Sequence, residues 1–172
     1  MENYRQLFSP DTELGRWLAT RNTMLRIGRN LFVHAGLSAR LLERDLEMDT
    51  LNARMGEGLY RTSKERREDP TLEFLYRSAG PVWYRGMVCA DEKYDPLTPE
   101  QTDALLRRYD ADRLLVGHTI FPDISTFHDG RVIAVNVQNE LNRRKNRGRA
   151  VLIEGSRISV VGNRGVKRVL EE

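Results

Sequence analysis

The chain has 172 residues, 40% of them hydrophobic and 8% aromatic, which suffices for one domain burying a core without disulfides or a structural metal. A formal charge of +3 is only mildly basic and disfavours a nucleic-acid partner; no apolar run is long enough to cross a bilayer, so no membrane partner is expected. The start, MENYRQLFSP, shows no secretory signal, and the single cysteine, Cys89, has no internal partner, so a soluble chain in a reducing cytoplasm is expected.

In chain order, residues 11–20 read as a helix with Ser9 as N-cap, Pro10 at the first helical position and Leu14, Trp17 and Leu18 at helical spacing. Residues 23–27 and 31–33 read as a β-hairpin around Gly28-Arg29-Asn30, whose second strand ends at His34. Residues 38–76 turn helical and charged, with Ala39, Leu42 and Leu46 on one face and an exposed inter-helix loop expected over 64–70. This is a helical insertion between sheet elements. Pro81-Val82-Trp83-Tyr84-Arg85-Gly86 is a short aromatic segment between breakers, followed by a loop over 91–97. Thr98, Pro99 and Gln101 resemble a capping box that starts a helix running to Tyr109. Leu114, Leu115 and Val116 form a buried strand ending in Gly117-His118-Thr119. Further strands are expected over 123–127, 132–137, 150–154 and 157–161, with hairpin turns at 128–131 and 154–157. The basic cluster Arg143, Arg144, Lys145, Arg147 and Arg149 falls in an expected loop without interleaved aromatics. A solvated loop explains it better than a polyanion site.

His34 and His118 share one context: an apolar strand running into a histidine held among small residues, at the carboxyl end where open α/β sheets build ligand sites. One such histidine is commonly a satisfied core residue. Two in matched contexts leave the core and metal-ligand readings equally open. His128, in a turn, is expected to face solvent. Cys89 reads as a half-buried thiol rather than a nucleophile.

Leu31-Phe32-Val33-His34-Ala35-Gly36-Leu37-Ser38 resembles the phosphoprotein-phosphatase motif in which a strand-end histidine precedes two small residues, Leu and Ser. The segment 81–86 resembles the Trp-x-Arg segment of bacterial phage-type and Shewanella-like phosphatases. Val116-Gly117-His118-Thr119 resembles their Gly-His-Thr motif. The three occur in family order over about residues 7–140, closest to the Shewanella-like branch of this calcineurin-like metallophosphoesterase superfamily. The resemblance implies an α/β fold, the C-terminal half of a metallophosphatase-type β-sandwich flanked by helices. It implies a binuclear centre of manganese, iron or zinc, with His34 and His118 as ligands of the second ion. Arg85 would grip the substrate phosphate, with Tyr84 beside it. Neutral imidazoles suit those metals and a guanidinium fork suits two phosphate oxygens. Without the motif, Arg85 reads as a surface cation packed on Trp83 or Tyr84, and those two rings read as wall or core.

The family's Asp-x-His, Gly-Asp-x-x-Asp-Arg-Gly and Asn-His-Glu segments do not occur in the sequence, and Asn136 and Asn139 stand where the family commonly has Asp-x-Gly. Three functions therefore compete. The first is a hydrolase, a protein phosphatase or small-ester phosphatase, present as a partial chain. The second is a non-catalytic module binding a partner, and the third a polyanion binder using the basic cluster. A half-fold with uncovered apolar surface is expected to associate, as a homodimer or with an N-terminal partner chain.

Overall fold

The structure, a computed structural model, describes residues 6–171. Helix α1 (Glu13–Ala19) leads into strands β1 (Met24–Ile27) and β2 (Asn30–Val33). Four short helices follow: α2 (Arg40–Glu43), α3 (Met48–Gly58), α4 (Ser63–Arg67) and α5 (Pro70–Tyr76). Helix α6 (Pro99–Arg108) precedes β3 (Arg113–Val116), β4 (Ser125–Phe127) and β5 (Val132–Ala134). Helix α7 (Asn139–Arg144) then leads to β6 (Arg149–Glu154), β7 (Arg157–Gly162) and β8 (Lys167–Glu171).

The strands form a mixed five-stranded sheet, in order β1-β2-β3-β5-β4, and an antiparallel sheet, β6-β7-β8. The pleat assigns alternate residues of the larger sheet to different layers. Leu31 and Val33 of β2, Leu114 and Val116 of β3, and Val132 and Ala134 of β5 share one face. They pack with Leu51, Leu75, Leu105 and Tyr109 of the helical layer. Their in-register neighbours Phe32, Leu115 and Ile133 point the other way and meet Ile158 and Val160 of the smaller sheet. The result is a mixed α/β arrangement with helices on one side and a second sheet on the other.

Local chemistry explains where elements begin. The β1–β2 hairpin turns on Gly28, whose φ of 58° is the left-handed backbone a two-residue turn requires there. Thr98 caps α6 reciprocally: its hydroxyl accepts from the Gln101 N–H at 3.2 Å and its own N–H donates to the Gln101 side chain at 2.9 Å. Asp69 caps α5 by accepting from Thr71 and Leu72, with Pro70 in the first turn.

Several expectations need correction. The N-cap of α1 is Thr12, not Ser9, because the Thr12 hydroxyl accepts from the Gly15 N–H at 3.0 Å, and Pro10 lies before the helix. The stretch expected as a loop over 64–70 holds α4, fixed by a reciprocal Thr62–Glu65 cap. The basic cluster does not form one loop. Arg143 and Arg144 lie in α7, while Arg149 begins β6 and is ion-paired with Asp123 at 2.8 Å. His128 is not solvent-facing; its Nδ1 lies 3.2 Å from the Thr102 hydroxyl and its Nε2 3.0 Å from the Met87 carbonyl. It pins the 128–131 turn to α6. Cys89 is half-buried and free.

Candidate active site at the carboxyl ends of two parallel strands

Strands β2 and β3 run parallel with Val33 beside Val116, so the residues that follow them leave the sheet at one level. The Gly117 N–H donates to the His34 carbonyl at 2.8 Å, and a Cβ on Gly117 would meet that oxygen at 3.2 Å. A glycine therefore lets the two strand ends close. One residue on, His118 adopts φ 59°, a left-handed conformation uncommon for a residue with a side chain. The turn brings its Nδ1 to 3.2 Å from His34 Nε2, with the rings edge-to-face at a centroid distance of 5.1 Å.

The third segment docks onto this pair through backbone and side chain alike. Ala35 N–H donates to the Pro81 carbonyl at 3.0 Å, and the Ser38 hydroxyl donates to the Ala79 carbonyl at 2.8 Å. Trp83 then presents its ring to His118, perpendicular, at 5.5 Å between centroids. Arg85 reaches over to donate from Nη1 to the Thr119 hydroxyl at 3.0 Å. Three stretches separated by tens of residues, 34–38, 81–86 and 117–119, thus meet at the carboxyl end of the two central strands β2 and β3.

The surroundings of His118 favour its neutral imidazole. Burial lowers the His118 pKa first, and the nearby Arg85 and His34 charges push it the same way. His34 is exposed, whereas His118 Nε2 is buried with no hydrogen-bond partner among the described residues. Arg85 carries no carboxylate partner among the described residues, so its guanidinium retains donors for an anion. Tyr84 has another role. It is 3% exposed and its hydroxyl donates to the Asp95 carbonyl at 2.5 Å, so it props the wall behind Arg85 rather than offering a donor. Burial raises its pKa well above the ordinary phenol value.

A separation of 3.2 Å between the imidazole nitrogens suits an N–H···N hydrogen bond. It also suits two adjacent ligands of one ion, since bonds of about 2.0–2.1 Å at tetrahedral or right angles separate nitrogens by about 3 Å. Fitted to a divalent metal, the donor set is chemically right but partial, because no group of three or more His, Cys, Asp or Glu side chains gathers among the described residues. The pair can supply two ligands, and the rest must come from elsewhere.

Reasoning from sequence missed the wider surroundings of Arg85. A cavity of about 610 Å³ opens on its far side, lined by Arg40, Tyr76, Arg77, Trp83, Lys93 and Tyr94 among others. An apolar groove of about 580 Å³ lies beside His34, between Leu25 and Phe32 of the larger sheet and Val151 and Ile153 of the smaller one. Their linings come from distant stretches of chain, and no local motif marks them.

The fold is that of part of a phosphatase. The chain is similar to a cold-active protein tyrosine phosphatase of a psychrophilic Shewanella species, with a TM-score of 0.86 and 29% identity over 97% of this chain. A second structure of a cold-active protein tyrosine phosphatase and that of a point mutant give the same values. The chain spans about half the length of these structures, 47–48%. No family model and no curated protein sequence matches it.

Proposed function

We propose that this chain is one half of a metal-dependent phosphoesterase of the calcineurin-like, phosphoprotein-phosphatase type, acting on phosphate monoesters of proteins or small molecules. The carrying observation is the meeting of His34 and His118 at 3.2 Å beside an Arg85 that has no carboxylate partner among the described residues. In this reading His34 and His118 hold one of two divalent ions, manganese, iron or zinc, and the metallophosphatase β-sandwich is completed by chain outside these residues. Divalent ions bound there would act as Lewis acids on phosphoryl oxygens and lower the pKa of water. Arg85 forks onto two phosphate oxygens, and its hold strengthens as negative charge builds on them. Thr119 aims the guanidinium, and Trp83 fixes the His118 ring against rotation. The described relatives are protein tyrosine phosphatases, which supports phosphotyrosine as one substrate.

A second reading is a non-catalytic module whose site never fills. The absence of a third ligating side chain among the described residues favours it. Hydrolysis of p-nitrophenyl phosphate with added manganese, with bound metal counted, separates the two. His118→Asn is the matched control, because asparagine tolerates the left-handed backbone while removing the imidazole. Metal-dependent turnover lost in His118→Asn supports the enzyme, completed across two chains. No turnover, with less than one ion bound per chain, supports the module.

A further inference from the structure

We propose that the cavity on the far side of Arg85 is a subsite for acidic side chains next to the phosphorylated residue, making this a site for acidic phosphopeptides. The proposal rests on the reading of Arg85 as the phosphate-gripping residue and extends it to substrate choice.

The cavity and the candidate site share a wall. Trp83, 55% exposed, touches His118 on one side and lines the cavity on the other, and Arg85 likewise belongs to both. A group bound through phosphate at Arg85 therefore continues naturally into the cavity, which at about 610 Å³ has room for more than one side chain. Its chemistry is cationic over an aromatic floor. Arg40, Arg77, Arg85 and Lys93 contribute positive charge against the single carboxylate of Asp95, between the rings of Tyr76, Trp83 and Tyr94.

Not all of these cations are available. Arg77 is paired with Glu73 at 3.3 Å, and Lys93 with Asp91 at 2.8 Å while lying over the Tyr94 ring. Arg40, exposed at the start of α2, has no ion pair or hydrogen bond among the described residues. An arginine unpaired among the described residues, lining the same cavity as an anion-binding arginine, favours a ligand with two negative groups. A peptide with glutamate or aspartate flanking the phosphoresidue supplies them, and its backbone can lie along the aromatic wall.

The test uses this chain and three peptides in calorimetric titrations at low salt: phosphotyrosine flanked by Glu, phosphotyrosine flanked by Ala, and the Glu-flanked peptide without phosphate. The Glu-flanked phosphopeptide is expected to bind about tenfold more tightly than the Ala-flanked one, the scale of one charge-assisted contact. Arg40→Gln should reduce that difference to within about twofold while leaving the Ala-flanked affinity unchanged. Arg85→Gln should weaken both phosphopeptides. Equal affinities in the unmodified chain, an equal loss for both in Arg40→Gln, or no binding of any peptide by folded protein overturns the proposal. If the unphosphorylated acidic peptide binds as tightly as its phosphorylated form and still needs Arg40, the acidic subsite stands and the phosphate role of Arg85 falls.

Discussion

At the scale of single residues, the site depends on side chains that are absent as much as on those present. Gly86 follows Arg85 with an ordinary backbone, so conformational freedom is not its reason. A Cβ there would lie 2.3 Å from the Tyr84 hydroxyl, 2.5 Å from the Tyr94 carbonyl and 2.6 Å from that of Asp95. Two of those three neighbours are backbone, and the third is the hydroxyl that ties Tyr84 to Asp95. Gly86→Ala must therefore move the residue that props Arg85 or the loop that it grips. The expected cost is about 2 kcal/mol in chemical denaturation, the usual scale of an overpacked interior. Because the displaced wall carries Arg85, phosphopeptide affinity should fall as well. A variant as stable as the parent would mean that the Tyr84–Asp95 clamp holds nothing in place.

Among the elements, capping chemistry separates those that hold the fold together from those that only decorate it. Helices α4 and α6 start with the same reciprocal box, yet α6 buries Thr102, Leu105 and Leu106 while α4 buries nothing. Thr98→Ala should lower global stability by about 1 kcal/mol, the worth of an N-cap hydroxyl. Thr62→Ala should instead speed amide exchange in residues 63–67 and leave the denaturation midpoint unchanged, because a helix without a buried face unwinds locally. An equal fall in both midpoints would show that α4 is coupled to the core. The same contrast explains what could be read in advance. The hairpin β1–β2, strand β3 and helix α6 carry apolar residues at their proper period, and the structure has them within a residue or two. Helix α4, of sequence SKERR, carries no apolar stripe and is marked only by the capping box Thr62–Glu65, while helix α7, of sequence NELNRR, has neither a side-chain cap nor an apolar stripe to announce it. Strand β8, of sequence KRVLE, is an edge strand paired to β7 through a register irregularity, and its adjacent Val169 and Leu170 show no alternation by which to recognise it. For the candidate site, the matched strand-end contexts of His34 and His118 were legible. The contact of Trp83 with His118 and the arrival of Arg40 in the cavity that Arg85 lines were not, because they join segments far apart in the chain.

Across the whole molecule, apolar surface is distributed unevenly. The larger sheet is covered on its helical face and, near β3 and β5, on its other face by the smaller sheet. Coverage stops at β1, the edge strand, where Leu25 is 44% and Ile27 58% exposed, and Leu25 lines the groove beside His34. Nearby in sequence, the apolar stripe of α1 also lies open, with Trp17 52% exposed. The Asn52 side chain already pairs the outward Met24 N–H and C=O, at 2.9 and 2.8 Å, so what stays open along β1 is the apolar face of Leu25 and Ile27, and an uncovered patch of that kind invites association. The expected behaviour is association that grows with concentration in light scattering. Replacing Leu25 and Ile27 together by Lys should return the mass to that of one chain without lowering stability, because neither side chain belongs to the buried core and charge on an edge strand opposes pairing. If the unmodified chain stays a single copy at every concentration, self-association through β1 fails, and the groove beside His34 is left for a different chain. If the doubly substituted chain still associates, the contact lies elsewhere, and the exposed stripe of α1 is the next surface to charge.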